Sequence, residues 1–367
     1  PPDPDRPVAI VFTSGTTGIP KGAWFTDRQL DAVTGYDVGH AVGTSTRLIP
    51  QYGSTQFAHV GFTTKLPWYL RMGTTTHLLA RWRPGDVLDL VARERIETIG
   101  GVAPQVALLL RDPDFDRRDL SHVRLLVMGG AASPPALVQE ARRRFEAAYS
   151  IRWSSTESGG VGTGTAPDAP DDEALHTVGR PRPGIGIQVR GTDDLPLPHG
   201  EVGAVWIRSD ASMSGYWRNP EATADALVDG WLRTGDVGRM DDDGFVYVED
   251  RIKDMVLRGG ENVYSAEVEA AFYTHPDVAE VAVFGVPHDR LGEEVAAVVV
   301  LLDGRTATAD ELANHVAVHL APFKVPSRIR ITGDPLPRNA AGKFLKRDLR
   351  AEEVRTAAAS QSAESSA

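Results

Sequence analysis

The chain has 367 residues, of which 41% are hydrophobic and 24% are charged, an ordinary balance for a globular protein with more than one domain. Its formal net charge of −11 argues against a general nucleic-acid or anionic-membrane surface, because both need a positive field. No cysteine occurs, which excludes disulfides, thiolate metal sites and a cysteine nucleophile and is compatible with the cytoplasm.

Apolar runs in the sequence are too short to cross a membrane as a helix. The longest, Val295 to Leu302, has the length of an inner strand. Residues 1–7 are charged and rich in proline, unlike a secretory signal peptide. We therefore expect no integral membrane segment, and the net charge leads us to expect no nucleic-acid partner.

The most informative stretch lies near the start of the chain. Val8 to Phe12 predict a buried strand, which runs into a loop of hydroxyls and glycines and then a cation at Lys21. The loop residues are Thr13, Ser14, Gly15, Thr16, Thr17 and Gly18. Small side chains, free backbone N–H groups and a nearby lysine are suited to binding an oligophosphate. The common nucleotide P-loop is excluded, because Ile19 and Pro20 separate the last glycine from the lysine.

This loop resembles the phosphate loop of the adenylate-forming enzymes, the superfamily of acyl-CoA synthetases, peptide-synthetase adenylation domains and firefly-type luciferases. The resemblance implies an α/β fold: a large N-terminal lobe of mixed sheets packed with helices, a β-rich subdomain, and a small mobile α+β C-terminal domain. We expect the N-terminal lobe with its β-rich subdomain over residues 1–250 and the C-terminal domain over residues 251–350. A disordered tail is expected over residues 351–367. The superfamily has a long region before this loop, so we expect further sheet and helix ahead of Pro1.

Two segments resemble the adenine site of the superfamily. The strand Leu125 to Met128 ends in small residues that resemble the turn lying against adenine, namely Gly129, Gly130 and Ala131. Within Arg152 to Gly160, the resemblance implies that Trp153 stacks on adenine, Thr156 contacts phosphate and Glu157 holds magnesium. Ser154 stands where the family has glycine.

Later motifs follow in the family's order. Gly215 to Trp217 resembles its GYW segment, and Trp231 to Asp236 resembles the segment whose aspartate accepts both ribose hydroxyls. In Asp250 to Asp254 the resemblance implies that Arg251 binds the ribose and phosphate side of the nucleotide and that the C-terminal domain turns about Lys253. The loop that begins with Gly259 and Gly260 then corresponds to one that approaches the pantetheine channel of coenzyme A.

The last motif supplies a candidate catalytic cation. A carboxylate is a poor electrophile, and its transfer to AMP needs positioned groups that stabilise charge at the transferring phosphorus. The loop Leu336 to Lys343 carries a lysine beside a glycine, and we expect Lys343 to bridge the substrate carboxylate and the α-phosphate of ATP. Rotation of its domain would then withdraw it for the thiol step.

The acid-binding side is less well defined. Ile99 to Ala103 resembles the turn that lines the acyl pocket, although a tight turn between strand and helix explains it equally well. Many acyl-CoA synthetases have a histidine at the place that falls near Gly53, whereas His59 lies further on. Either the thiol gate is built differently, or His59 takes that place.

Local signals predict several helices. Thr26 is expected to cap a helix over roughly Asp27 to Val42, and Ser133 to cap the next helix after Met128. Thr308 and Glu311 form a capping box ahead of a helix that ends near Leu320.

These motifs together predict an acyl-CoA synthetase that uses ATP, Mg²⁺ and coenzyme A and acts on a fatty, alicyclic or aromatic acid. One alternative is an adenylation protein that loads a separate acyl carrier protein. Another is a catalytically silent nucleotide- or acyl-binding fragment. Luciferase-like oxidation is compatible with the fold, but no sequence feature favours it.

Overall fold

The computed structural model describes residues 3–13, 20–39, 50–130, 133–338 and 343–364, with side chains up to residue 356. These residues form two compact units. The first contains the described residues up to 234 together with 238–248, and the second contains 235–237 and the described residues from 249 onward.

Strands and helices alternate through much of the chain. The strands are β1 (Pro7–Phe12), β2 (Gly22–Thr26), β3 (Pro50–Tyr52), β4 (Thr75–His77), β5 (Thr98–Gly101), β6 (Leu125–Gly129), β7 (Ala148–Trp153), β8 (Thr163–Gly164), β9 (Arg180–Pro181), β10 (Gly186–Arg190), β11 (Gly203–Arg208), β12 (Gly215–Tyr216), β13 (Leu227–Val228), β14 (Trp231–Met240), β15 (Val246–Arg251), β16 (Val256–Arg258), β17 (Glu261–Val263), β18 (Val278–His288), β19 (Gly292–Leu301) and β20 (Arg328–Thr332). The helices are α1 (Asp27–Val38), α2 (Val60–Thr63), α3 (Leu66–Met72), α4 (Pro84–Glu94), α5 (Ala103–Leu110), α6 (Pro135–Phe145), α7 (Asp171–His176), α8 (Pro220–Ala226), α9 (Ser265–Tyr273), α10 (Ala309–His319) and α11 (Lys346–Glu364).

A five-stranded sheet, ordered β5-β6-β7-β8-β9, organises the first unit. Its first three strands are parallel, and helices connect them, as parallel strands require. Helices α4, α5 and α6 contribute apolar side chains to one core with these strands, including the fully buried Val91, Val106, Leu126 and Val138. Parallel strands align their carboxyl ends, so the loops that follow β5, β6 and β7 lie along one edge.

The first strand differs from its prediction. β1 lies at the edge of the antiparallel sheet β1-β2-β12, and the side chains of Val8, Ile10 and Phe12 are exposed, whereas Val11 is buried. The predicted buried strand is therefore wrong in burial, although the strand itself is present. A run of apolar residues cannot distinguish a strand with two buried faces from an edge strand with one.

The predicted β-rich subdomain is present, with most of its residues in the first unit. The strands pair in the order β10-β11-β14-β13, with β15 beside β14. Trp206 on β11 is almost fully buried, and the guanidinium groups of Arg190 and Arg233 lie 4.2 and 4.8 Å from its ring centre. These cation–π contacts cover the ring while keeping the charged groups near water.

The second unit is an α+β domain. Its long hairpin β18-β19 carries the buried valines of the core, β20 pairs parallel with β19, and α9 and α10 supply Val268, Phe272, Leu312 and Val316. The predicted capping box is confirmed: the Glu311 N–H donates to the Thr308 hydroxyl, and the Thr308 N–H donates to the Glu311 carboxylate.

Three local predictions need correction. Helix α1, with its Thr26 cap, ends at Val38 rather than near residue 42. Ser133 does not cap α6, because its hydroxyl lies 3.0 Å from that of Tyr149 and Pro134 occupies the cap position. The tail after Arg350 is helical as far as Glu364 rather than disordered, consistent with the high helix propensity of its alanines and glutamates.

A cluster of histidines predicts how the second unit responds to acid. The His315 ring packs edge-on against His275 and His319, and its Nε2 lies 2.7 Å from the Thr274 hydroxyl. Burial and the two neighbouring histidines lower the pKa of His315. A depressed folded-state pKa means that the unfolded chain binds the proton more tightly, so this contribution to stability is present above about pH 6.5 and is lost as the pH falls through the folded pKa.

We therefore expect the unfolding free energy of this unit to fall below about pH 6.5 more steeply in the unaltered protein than in His315→Gln. Urea denaturation of both proteins at several pH values measures the difference. Parallel pH profiles would contradict the expectation.

Candidate active site

The carboxyl edge of the parallel strands brings three predicted segments together in the first unit. In the register of the sheet, Gly101 on β5 lies opposite Met128 on β6, and Gly129 on β6 lies opposite Arg152 on β7. The turn expected to line the acyl pocket, the turn expected to lie against adenine, and Trp153, which is expected to stack on adenine, therefore lie at the ends of neighbouring strands. Sequence spacing alone could not show that these segments adjoin.

The turn that is expected to lie against adenine needs glycine for two reasons. A Cβ on Gly129 would lie 2.8 Å from the carbonyl oxygen of Arg152, which is too close for any side chain, and Gly130 has a φ of +75°. These residues let the backbone lie open at the strand end, as a turn against a flat ring requires. Ala131, the third predicted residue of this turn, lies outside the described residues.

The loop after Trp153 is held by its own serines. The Ser155 N–H donates to the Ser158 hydroxyl, the Ser158 N–H donates to the Ser155 hydroxyl, and the Gly159 N–H donates to the carbonyl of Thr156. This turn fixes the backbone of Thr156 and Glu157 in the position that the sequence assigns to phosphate and metal contacts. Ser154, which replaces the usual glycine, precedes the turn without disrupting it.

Glu157 is connected to Lys21 through a tyrosine. The Tyr216 hydroxyl donates to Glu157 Oε1 at 2.7 Å, and Lys21 Nζ lies 4.2 Å from the centre of the Tyr216 ring. Strand β12 carries this tyrosine beside β2, which begins directly after Lys21. The sequence identified the segment around Tyr216 but did not assign a role to the tyrosine, since its partner is 59 positions away.

The base of the phosphate loop is closed by two hydrogen bonds. The Thr13 N–H donates to the carbonyl of Lys21 at 2.8 Å, and the Lys21 N–H donates to the Thr13 hydroxyl at 3.1 Å. The predicted phosphate contacts of Ser14, Gly15, Thr16, Thr17 and Gly18 fall outside the described residues. The two ends of the loop are therefore fixed side by side, with Lys21 directed to the tyrosine.

The donor set at Glu157 fits a magnesium ion bound with nucleotide phosphates. Over the described ranges, no group of three or more acidic, histidine or cysteine side chains is placed to hold a metal. Mg²⁺ at nucleotide sites commonly takes one or two carboxylates and completes its shell with phosphate oxygens and water. The Glu157 carboxylate, oriented by the Tyr216 hydroxyl, is suited to that arrangement.

In the second unit, the two residues predicted to contact ribose form an ion pair. Arg251 Nε lies 2.7 Å from Asp236 Oδ1, and the Asp236 side chain is almost completely buried, whereas Arg251 is 42% exposed. The Ile252 N–H donates to the carbonyl of Gly235, which holds the two segments together. The arginine orients this carboxylate, the group that the sequence motif assigns to the ribose hydroxyls.

The predicted hinge and coenzyme A loop lie next along the chain. Burial lowers the pKa of Lys253, and the neighbouring Asp254 opposes that effect. Gly259 and Gly260 have φ values of +63° and +93° and form a two-residue turn between β16 and β17. The segment predicted to approach pantetheine is thus a tight hairpin turn rather than an open loop.

Lys343 lies three residues before a lysine that is firmly anchored. Lys346 Nζ lies 2.7 Å from Glu269 Oε1 and donates to the Ser265 hydroxyl, which in turn donates to Asp250. Burial alone would lower the pKa of Lys346, but Glu269 and Asp250 raise it above its ordinary value. The anchor fixes the chain after Lys343, while Gly342 lies outside the described residues.

Gly53 and His59, the two positions considered for the thiol gate, have different local surroundings. A Cβ on Gly53 would lie 3.3 Å from Leu78, so this position adjoins apolar side chains. His59 is the N-cap of α2, and its Nδ1 accepts a hydrogen bond from the Gly61 N–H. This contact gives His59 a capping role.

The sequence also gave no role to Lys65. It lies in an otherwise apolar stretch around α2 and α3 and is buried, where its ammonium group pairs with Asp37. The sequence signal that could have identified Lys65 is a single lysine within a mostly apolar segment.

Comparisons with known proteins cover both units. The family model described as AMP-binding enzyme matches residues 1–217, and that of the AMP-binding enzyme C-terminal domain matches residues 267–343. The chain is 36% identical to the fatty acid–[acyl-carrier-protein] ligase ScoC of Streptomyces coeruleorubidus, over 95% of this chain and 67% of that protein. It is also 36% identical to the long-chain-fatty-acid–CoA ligase FadD13 of Mycobacterium tuberculosis, over 94% of this chain and 67% of that protein.

A solved structure has the same fold. The amide bond synthetase McbA from Marinactinospora thermotolerans superimposes with a TM-score of 0.85 at 34% identity, over 96% of this chain and 69% of that chain. No helix in the described part of the chain has the length and apolarity needed to span a membrane.

Proposed function

Because this chain belongs to the family of AMP-binding enzymes, we propose that it is an acyl-CoA synthetase that activates a carboxylic acid through an acyl-adenylate. The predicted superfamily and α/β fold class are confirmed. The predicted enzyme class, an AMP-forming acid–thiol ligase, agrees with relatives named as CoA ligases over most of the chain. The proposal also places the reaction in the cytoplasm, with which the absence of cysteine is compatible.

The observation that carries the proposal is the connected set Lys21, Tyr216 and Glu157 beside the carboxyl edge of the parallel sheet. One tyrosine holds a cation and a carboxylate, an arrangement that suits a triphosphate bound with magnesium. Phosphate oxygens would pair with the cation directly and would be linked to the carboxylate through the metal. Trp153 offers a ring to adenine, and Thr156 offers a hydroxyl to phosphate.

The chemistry has two steps. First, a carboxylate oxygen of the acid attacks the α-phosphorus of ATP, the bond to the β-phosphate breaks, and pyrophosphate leaves with the electron pair. Lys343 neutralises charge between the carboxylate and the α-phosphate, while Lys21 and the phosphate loop neutralise the departing pyrophosphate. Magnesium held by Glu157 would supply further positive charge there.

In the second step, the thiol of coenzyme A attacks the acyl carbonyl carbon, AMP leaves, and the thiol proton passes to solvent. Asp236 and Arg251 hold the ribose of the nucleotide through both steps. Rotation of the C-terminal domain about Lys253 would withdraw Lys343 and present Gly259 and Gly260 to coenzyme A.

Pyrophosphate release tests the proposal. We expect release to require ATP, a divalent cation and a carboxylic acid, and a panel of fatty, alicyclic and aromatic acids reveals which acids are accepted. A protein that binds nucleotide but releases no pyrophosphate with any acid would instead be the silent binding fragment.

We expect Glu157→Gln to lower the rate of acid-dependent pyrophosphate release about a hundredfold, because it removes the charge that holds the metal. Tyr216→Phe, which removes only the hydroxyl that orients Glu157, should cost about tenfold. Titration with Mg²⁺ distinguishes the two roles, since only Glu157→Gln should need much more metal for half-maximal rate. Equal metal requirements in both variants would contradict the assignment.

The acceptor can be tested separately. The relative ScoC is named for transfer to an acyl carrier protein, and McbA for amide bond synthesis. Preformed acyl-adenylate offered to coenzyme A, a carrier protein or a simple amine should react fastest with coenzyme A. Faster transfer to the carrier protein would favour the loading function.

A further inference from the structure

Three cations and one carboxylate lie together in the first unit. Lys65 Nζ lies 2.6 Å from Asp37 Oδ2, and Arg182 Nη1 lies 2.7 Å from Asp37 Oδ1. Only 11% of the Lys65 side chain and 14% of the Asp37 side chain are exposed. Burial alone would raise the pKa of Asp37, but the two cations hold it below its ordinary value, so it remains ionised.

Arg152 is the third cation. A Cβ on Gly164 would lie 2.1 Å from Arg152 Nη1, so the glycine on β8 makes room for this guanidinium. Burial and the nearby Arg182 lower the pKa of Arg152. Within the described ranges, Asp37 is the only carboxylate in ion-pair contact with any of these three cations.

The cluster therefore has two positive charges in excess. Lys65 and Asp37 are shielded from water and the two arginines only partly, and excess charge in such surroundings is normally balanced by a counter-charge or a ligand. Asp37 already accepts from both Lys65 and Arg182, whereas no described residue accepts a hydrogen bond from the Arg152 guanidinium. Arginine binds carboxylates through two parallel N–H donors, which makes Arg152 the available partner for an anion.

The cluster adjoins the loop that holds the reacting groups. Lys65 donates to the carbonyl of Gly160, the Gly160 N–H donates to the carbonyl of Ser155, and Ser155 precedes Thr156. Arg152 directly precedes Trp153 on β7. An acid whose carboxylate reacts beside Thr156 can thus direct its other end toward these cations.

We propose that the acid substrate carries a second negatively charged group at its far end, a carboxylate being the simplest, and that Arg152 binds it with Lys65 alongside. The inference rests on the proposed acid-activating function and narrows its substrate class. Unbranched fatty acids would place a methyl group against the cluster and leave its charge uncompensated, so they would be poor substrates.

Matched acids test the proposal. Dicarboxylic acids of increasing length are compared with their own monomethyl esters, which have the same chain but one charge fewer, by acid-dependent pyrophosphate release. We expect kcat/KM to favour the diacid of best length over its ester by about 10- to 100-fold, the discrimination of a charge-assisted hydrogen-bonded pair. Esters accepted as well as diacids, or better, would overturn the proposal.

Substitutions of Arg152 test whether it binds the second charged group. Arg152→Met should bring the diacid-to-ester ratio close to one, and Arg152→Lys should restore part of it. Arg143→Met makes the same chemical change at an exposed position on α6 and should leave the ratio unaltered. A ratio that Arg152→Met does not change would show that the cluster serves only the packing of the first unit.

A binding measurement on the unaltered protein guards against misfolded variants. With AMP present, the diacid should raise the melting temperature more than its ester does, and equal shifts would count against the proposal. Pyrophosphate release with esters or fatty acids but not with diacids would remove this inference and leave the acid-activating function intact. No release with any acid would remove the function itself.

Discussion

Lys343→Ala is expected to slow adenylate formation by about a hundredfold or more and to leave thioester formation from preformed acyl-adenylate nearly intact. The first step builds charge between the acid and the α-phosphate, and one preorganised cation at such a centre contributes on this scale. In the second step the adenylate already exists, and the domain that carries Lys343 has turned away in the proposed cycle.

Single-turnover pyrophosphate release measures the first step, and transfer from synthetic acyl-adenylate to coenzyme A measures the second. Lys343→Arg, which keeps the charge but changes its shape, is the matched variant and should retain more of the first step than alanine does. An equal loss in both half-reactions would show that Lys343 does not act in the first step alone.

Lys346→Met is expected to destabilise the second unit by about 1–3 kcal/mol, the cost of leaving a polar group without its partner where little water reaches it. The substitution leaves the partly buried Glu269 without its cation and removes the donor to the Ser265 hydroxyl. Burial raises the pKa of Glu269 even with the lysine present, so the carboxylate becomes still harder to keep ionised once the lysine is removed.

Hydrogen exchange at the amides of β18 and β19 measures this loss, because all seven tryptophans lie in the first unit and fluorescence would not report on the second. Lys324→Met breaks the more exposed pair with Glu267 and should cost under about 1 kcal/mol. Glu269→Gln combined with Lys346→Met should cost less than the sum of the two single changes. Equal protection in Lys346→Met and Lys324→Met would show that the hydrogen-bonded network around Lys346 contributes little.

Local chemistry made much of the fold predictable. The capping box of Thr308 and Glu311 depends on residues within one turn, and the structure contains it. Burial was harder to predict, since Val8 to Phe12 has the same composition whether one face or both faces of the strand are covered. Ser133 shows the same limit, because its partner Tyr149 comes from a different element.

The candidate site shows where sequence reasoning stops. Sequence motifs identified Glu157, Lys21, Asp236 and Arg251 as site residues. In the structure, a tyrosine links Glu157 to Lys21 in the first unit, and Asp236 forms an ion pair with Arg251 in the second unit. The connecting tyrosine was not predicted as a site residue, because hydrogen bonds between distant segments leave no pattern in a sequence.

The charge cluster around Lys65 could not be predicted from the sequence for a similar reason. Its members come from four separate elements or loops, and a lysine, two arginines and an aspartate spread over some 145 positions give no local signal. Only the fold brings their charges together.

An isotope experiment tests the central claim most directly. An accepted acid labelled with ¹⁸O in its carboxylate is converted to the thioester, and the released AMP is analysed by mass spectrometry. If the carboxylate attacks the α-phosphorus, each AMP carries one ¹⁸O atom; unlabelled AMP, or label found in inorganic phosphate, would contradict adenylation of the acid.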